Sequence, residues 1–267
     1  MDKLNFFDLL GKVSGISIED DLQSLKDFFI MSNYDNYMIP ENANEIERDA
    51  IRIMFDDKKD IIDRVYDATN IDPFCIEAFY LELSTRNESG DVNNLFMSYY
   101  RKKDEFEDLP PYSKSNYLII LDFFIEYLID IHNITKAIFV QKDLMKISKQ
   151  NMNRNTTRLC YLYFLLEECE DYYEFYQESE FKDPVAYMLL INTLLKHDQF
   201  DRAKIVLNDM ITYVPFSNYI YRIWDLDESE VEAIDFKEAV ESCYEELNSV
   251  PDFFLWCKEN IEEVVKS

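Results

Sequence analysis

The side chains that most often form catalytic and metal sites are scarce in this sequence and widely spaced. The chain has two histidines, His132 and His197, and neither lies close in sequence to a cysteine. The five cysteines are Cys75, Cys160, Cys169, Cys243 and Cys257. No two of them form a CxxC pair, so the spacing that zinc sites and redox cysteines use is absent. An odd number of thiols without this spacing indicates buried, reduced cysteines and a cytoplasmic protein.

Motifs for calcium, nucleotides and nucleophilic catalysis also fail. Asp225, Asp227 and Ser229 begin like a calcium loop. Glu230 then occupies the position that requires glycine, and Phe236 that of the bidentate glutamate. Phosphate loops, dinucleotide fingerprints and nucleophile elbows need glycines at fixed positions, and the chain has only 3. We therefore predict no catalytic residue, no metal site and no cofactor. An unrecognised hydrolase or transferase stays as an alternative, which a buried acid of raised pKa in a deep pocket would support.

An acidic stripe and a basic cluster are the candidate binding features. Acidic residues at i, i+4 and i+8 of one predicted helix share a face, which would grip basic residues of a partner or simply face water. Basic residues on the next two predicted helices would hold a carboxylate or phosphate of a partner, or balance the acidic stripe. The basic cluster consists of Lys142, Lys146, Lys149, Arg154 and Arg158. The predicted partner-binding residues are Asp122, Glu126, Asp130, Arg154, Arg158, Asn192 and Lys196.

The overall charge restricts the kinds of partner. The chain has 54 acidic and 27 basic residues, a formal net charge of −27. Such a field repels nucleic-acid phosphates and anionic membranes and favours basic partners. The run EECEDYYEFYQESE, residues 167–180, suggests a mimic of nucleic acid. Its aromatic residues fall at helical spacing, however, so we favour an amphipathic helix.

The elements that must position these residues are helices. Apolar residues recur at helical spacing almost throughout, and alternating strand patterns are absent. We expect about fourteen helices, mostly in pairs, including 91–107, 113–131, 184–197, 200–212 and 229–248. Asp72-Pro73 and Asp183-Pro184 each predict a helix start, because Asp is a good N-cap and Pro suits the first helical position. The most apolar segment, 117–131, is too short and too charged to cross a membrane.

The helix pairs have a period. Ala137 and Ala203 open equivalent second helices and lie 66 residues apart, close to two repeats of about 34 residues. The segment Ala186–Pro215 resembles a tetratricopeptide (TPR) repeat, with Ala203 at the small position and Pro215 at its end. Its core positions are occupied by Tyr187, Leu190, Leu194 and Leu207. This resemblance implies an all-α solenoid of antiparallel helix pairs in a right-handed superhelix, or another α-solenoid built on the same pairs.

Three regions follow from this interpretation. Residues 1–40 form an N-terminal helical lead-in, and 41–224 form the TPR-like array. Leu109-Pro110-Pro111 marks a candidate joint within the array. Residues 225–267 form an acidic C-terminal cap with 14 acidic and 3 basic residues.

The TPR resemblance implies a non-catalytic scaffold or adaptor whose groove binds another protein or peptide, and the charge favours a partner with a basic surface. The alternative is an acidic inhibitor or immunity protein that occupies a basic nucleic-acid-binding or toxin site. We expect no direct nucleic-acid binding and no membrane insertion. A peptide-sensing transcription regulator ranks lower, because residues 1–37 hold 3 basic and 7 acidic residues, unlike a DNA-binding helix pair.

Overall fold

The computed structural model describes residues 37, 39–56, 58–86, 89–148, 152–179, 183–226 and 230–266. These residues form α-helices and two 3-10 helices, with no strand among them. The predicted all-α class is therefore confirmed, while the solenoid arrangement stays a prediction. The helices predicted before residue 37 lie outside the described residues. None of the described helices combines the length and the apolar run that a membrane span requires.

The chain divides into two compact units, the first ending at Tyr127 and the second beginning at Leu128. The first contains α1 (Glu45–Met54), α2 (Ile61–Ile71), α3 (Ile76–Thr85), α4 (Ser89–Tyr100), a 3-10 helix (Lys103–Asp108) and most of α5 (Pro111–Asp130). The second contains α6 (Ile134–Ile147), α7 (Met152–Leu166), α8 (Cys169–Glu178), α9 (Pro184–Lys196), α10 (Phe200–Tyr213), a 3-10 helix (Ser217–Asp225), α11 (Val231–Ser242), α12 (Tyr244–Leu247) and α13 (Phe253–Lys266). The division into a lead-in, an array and a cap stays a prediction.

Local capping explains where two of the helices, α9 and α1, begin. Asp183 accepts a hydrogen bond from the N–H of Ala186 at 3.0 Å and Pro184 follows, so α9 begins as predicted. Asn44 and Glu47 form a capping box at the start of α1. The prediction that a helix starts at Asp72-Pro73 is wrong. Asp72 ends α2, its carboxylate accepts from the N–H of Phe74 in a turn, and α3 begins only at Ile76.

The same backbone turn follows three helices, α5, α7 and α9, and each turn lies in the second unit. Each of these helices is followed by a residue with left-handed backbone, His132 (φ 58°), Glu167 (φ 56°) or Asp198 (φ 57°). The N–H of the next residue then donates to the carbonyl oxygen five residues before it. Glycine usually occupies this position, so a chain with 3 glycines must place other residues there. The turns recur at intervals of 35 and 31 residues.

The core of each unit follows from residue type. In the first unit aromatic rings pack together, with Phe79 in edge contact with Tyr99 and Phe96 stacked on Phe124 at 5.1 Å. In the second unit α9 is apolar on all sides, and residues 186–195 are all buried. A helix that is hydrophobic all round belongs in the interior. α9 accordingly packs against α7, α8, α10, α11 and α12.

Candidate protein-binding surface

The predicted acidic stripe lies on α5 as the spacing indicated. Asp122 is half-buried, and Glu126 and Asp130 are exposed. The opposite side of the helix carries buried Tyr117, Leu121 and Phe124, which explains why the carboxylates face outward. That the stripe grips a partner stays a prediction.

The basic cluster is drawn partly into internal contacts. Arg154 is exposed. Arg158 donates from Nε to Oε1 of buried Gln141 at 2.6 Å, and Gln141 donates from Nε2 to the carbonyl of Asn155 at 3.1 Å. These bonds join α6 to α7. The ammonium of Lys142 lies 5.2 Å from the centre of the Tyr163 ring. Lys149 lies outside the described residues.

The two α9 residues that were predicted to bind a partner, Asn192 and Lys196, differ in burial. Asn192 is fully buried, and its Nδ2 donates to the carbonyls of Glu246 at 3.0 Å and of Leu247 at 3.2 Å. The side chain therefore ties α9 to α12 rather than facing a surface that a partner could reach. The side chain of Lys196 is 25% exposed, with Nζ 3.7 Å from Oε1 of Glu167. The sequence alone could not show which face of α9 the later helices cover.

The tyrosines of the acidic run face inward. Tyr172 and Tyr173 on α8 are buried, and the hydroxyl of Tyr172 donates to the carbonyl of Ala186 at 2.8 Å. Tyr176 hydrogen-bonds to the carboxylate of Asp209. This is the amphipathic helix that the spacing favoured, and the three tyrosines do not form a base-like row on the surface.

Sequence reasoning missed a group of buried carboxylates in the first unit. Glu77 is fully buried, and its Oε1 accepts from the hydroxyls of Tyr37 at 2.6 Å and Tyr112 at 3.3 Å. Glu47 is 1% exposed, and its Oε1 accepts from the backbone N–H of Ser113 at 2.9 Å and from its hydroxyl at 2.5 Å. These bonds tie α1 and α3 to the start of α5. The spacing of Asn44 and Glu47 was a detectable capping signal.

Burial raises the pKa of two of these carboxyl groups, those of Asp72 and Glu77. It raises the pKa of Asp72 to about 6, the N–H of Phe74 opposes the rise, and the charges of Glu47 and Glu77 add to it. Burial also raises the pKa of Glu77. One oxygen of Asp72, Oδ2, is buried without a hydrogen-bond partner. Glu47 and Glu77 accept hydrogen bonds that link separate helices, which indicates a structural role for these two carboxylates. Within the described ranges, no set of three or more His, Cys, Asp and Glu side chains could hold a metal ion.

The second unit exposes a row of aromatic rings, which we call the aromatic row and define as Trp224, Tyr244 and Phe254. Trp224 is 64% exposed and lies 6.4 Å from Tyr244, which stacks on half-buried Phe254 at 5.6 Å. The rings come from the second 3-10 helix, α12 and α13. The ammonium of Lys237 on α11 lies 5.7 Å from the centre of the Trp224 ring. The row therefore already has a cation over one of its faces.

Carboxylates are abundant on the same helices. The exposed acids of α11 and α12 are Glu232, Asp235, Glu238, Glu241 and Glu245. An exposed aromatic row on strongly acidic helices can bind a cationic, partly apolar surface, through cation–π contacts and charge together. Comparison with protein-family models, with curated proteins and with solved structures finds no match to this chain.

Proposed function

We propose that the protein is a non-catalytic scaffold. Its acidic C-terminal helices bind a partner that has a basic surface. The observation that carries the proposal is the exposed aromatic row. A tryptophan that is 64% exposed leaves a large apolar area in water, and such residues are enriched where proteins bind one another. The partner's apolar side chains would cover the rings, and its Lys and Arg side chains would meet the surrounding carboxylates.

Charge supports a basic partner over an acidic one. Residues 225–267 carry 14 acidic and 3 basic residues, within a chain of net charge −27. Complementary charge of this size mainly speeds association and excludes wrong partners. The aromatic rings supply affinity when the partner covers them.

The repeated turns support a scaffold built from similar helix pairs. The intervals of 35 and 31 residues are close to the length of a TPR-like repeat. All five cysteines are buried and none forms a disulfide, which favours the reducing cytoplasm as the compartment. The same acidic surface would also suit an inhibitor of a basic nucleic-acid-binding or toxin site, so the identity of the partner separates the two functions.

Affinity capture from the native host tests the proposal with three versions of the full chain. The bait variant is Trp224→Ser combined with Tyr244→Ser. The matched control is Phe139→Ser, because Phe139 is an exposed aromatic residue of the same unit, 62% exposed on α6. We expect one partner to bind the wild type and the control equally and to be lost from the double variant.

The captured partner is then purified and titrated directly. Its affinity should fall at least about tenfold between about 50 and 300 mM NaCl, because screening weakens attraction between opposite charges. Equal capture by the double variant, or a partner whose contact surface is acidic, would refute the proposal. Loss of capture by Phe139→Ser as well would place the binding surface elsewhere.

A further inference from the structure

The first unit contains a cleft that is independent of the aromatic row. Two adjoining cavities of about 360 Å³ and 270 Å³ lie among α2, α3 and α4 and share Thr69, Glu82 and Arg86. The larger is walled by apolar side chains, and the smaller also contains polar groups. We call them the apolar section and the polar section of the cleft.

The apolar section is formed mainly by one face of α2. Ile61, Ile62, Val65 and Tyr66 line it together with Leu81 of α3. Although α2 is rich in apolar residues, Ala68 is its single buried residue. Ile62 is 75% exposed and Tyr66 is 66% exposed, one helical turn apart. An apolar helix face left in water over this length is typical of a binding surface.

The polar section has more positive than negative charge. Its charged lining residues are Arg86, Lys102 and Glu82. Arg86 is ion-paired with Glu82 and donates from Nη1 to the carbonyl of Asp91 at 3.1 Å, but its Nε–H is buried without an acceptor. A buried donor without an acceptor costs free energy that a ligand oxygen could recover.

Lys102 supplies the second cation. Its ammonium lies 5.1 Å and 5.5 Å from the ring centres of Phe74 and Tyr99, and no carboxylate among the described residues pairs with it. Asn94 and Ser98 add polar groups to the same section. An anionic oxygen entering here would meet two cations and hydrogen-bonding side chains.

We infer that the cleft binds a peptide segment of another protein in which apolar side chains stand next to an acidic side chain. The apolar side chains occupy the section walled by α2, and the carboxylate binds at Arg86 and Lys102. A small organic acid fits less well, because tight small-molecule sites cover most of the ligand, whereas Ile62 and Tyr66 here stand largely in water. A peptide chain crossing the cleft would cover both residues.

The negative charge of the whole chain does not prevent this binding. At physiological salt the Debye length is about 8 Å, so acids far from the cleft are screened while groups in contact with the ligand are not. The inference does not depend on the proposed function, because it concerns the other unit and a ligand of opposite charge.

Titration of the full chain, followed by NMR, tests the inference with defined probes. These are acetyl-Leu-Leu-Ala-Glu-amide, the same peptide ending in Gln or in Lys, and sodium hexanoate. We expect the Glu peptide to bind about fivefold or more tightly than the Gln and Lys peptides, as expected for a charge-assisted contact. Hexanoate should bind more weakly still.

Variants of residues that line the cleft locate the site. Ile62→Ser should abolish binding of the Glu peptide, and Lys102→Gln should weaken it about fivefold and remove its advantage over the Gln peptide. Ile46→Ser is the matched control, since Ile46 is 59% exposed on α1 and does not line the cleft. Unchanged affinity in Ile62→Ser, equal binding of the Glu and Gln peptides, or no binding of any peptide at about 10 mM would overturn the inference. Hexanoate binding as tight as the Glu peptide would overturn it in favour of a small-acid site.

Discussion

The first unit buries Glu47, Asp72 and Glu77, whereas the described part of the second unit buries no carboxylate. The second unit instead buries neutral polar side chains. These are Gln141, Ser148, Asn155, Thr156, Asn192, Thr193, Ser217 and Asn260. The acids of its C-terminal helices remain at the surface. Both units also expose acids, such as Asp49 and Glu107 in the first, so the difference lies in which polar side chains each core buries.

This difference has a physical consequence for stability. A buried carboxylate either takes up a proton or needs donors around it, so its contribution depends on pH. A buried amide needs only its hydrogen bonds, so its contribution is insensitive to pH. Surface acids interact through water and are screened by salt. We therefore expect the stability of the first unit to depend on pH. We expect the stability of the second unit to depend on individual hydrogen bonds and not on pH.

The largest expected effect is the pH dependence that Asp72 gives the first unit. Its pKa rises from an ordinary value of 3.8 to about 6 in the folded state, so folded Asp72 retains a proton that the unfolded chain releases. Stability from this group is present below pH about 4 and is lost as pH rises through about 6, by about 3 kcal/mol in total. Asp72→Asn should remove this part of the decline between pH 4 and pH 7.

Hydrogen exchange of α3 peptides in urea, corrected for the intrinsic effect of pH, measures this change. Both tryptophans of the chain lie in the second unit, so their fluorescence follows that unit separately. Asp201→Asn is the control, because Asp201 is exposed on α10. If Asp72→Asn leaves the decline with pH as steep as in the wild type, the buried carboxylate is not responsible.

The next effect is the loss of a neutral buried side chain from the second unit. Asn192→Ala removes the donors to the carbonyls of Glu246 and Leu247, so we expect a loss of about 2 kcal/mol that is the same at pH 5 and pH 8. Tryptophan fluorescence during urea unfolding measures it. Asn208→Ala is the matched control, since Asn208 is exposed on α10. Equal destabilisation by the two variants would show that the bonds to α12 contribute nothing.

A smaller effect concerns the capping box of α1. Asn44→Ala removes the side chain that accepts from the N–H of Glu47 at 3.0 Å, and we expect a loss of about 1 kcal/mol. Hydrogen exchange of α1 peptides measures it, with Asn70→Ala near the exposed end of α2 as the control. Because Glu47 also binds Ser113, loosening α1 should increase exchange at the start of α5. Faster exchange confined to α1 would contradict that link.

The sequence predicted the helical class and several helix bounds, because those depend on local signals. α9 and α10 agree with prediction to within one residue, since Asp183 and Pro184 fix the start of the pair. The helix expected over 91–107 ends at Tyr100, and a 3-10 helix follows in which Phe106 is buried against Tyr117. The helix expected over 229–248 breaks at Cys243, whose backbone is not helical. The packing of Phe106 on Tyr117 accompanies the first break and is not encoded by periodicity.

The candidate surfaces were harder to predict than the helices. The aromatic row joins residues from three elements, so no spacing along the chain reveals it. The apolar face of α2 resembles any core-facing helix in sequence, and it becomes notable only because Ile62 and Tyr66 remain uncovered. Asn192 shows the converse, because a polar residue predicted to bind a partner is covered by α12.

The smallest expected loss of stability comes from changing a surface acid of the second unit. It also tests most sharply the difference between buried and exposed acids. Glu170 lies 2.9 Å from Arg202 and is 70% exposed, and hydrogen bonds from Arg202 and Gln199 lower its pKa. Its contribution therefore has the opposite sign to that of Asp72, being present at neutral pH and lost as pH falls. Because exposed pairs contribute little, Glu170→Gln should barely lower the urea midpoint at pH 7, and the difference should vanish in about 1 M NaCl.

Glu174→Gln, an exposed change on the same helix, is the control. A loss as large as that of Asn192→Ala would mean that the second unit depends on its surface acids for stability, and its acidic face could then no longer be assigned to partner binding alone.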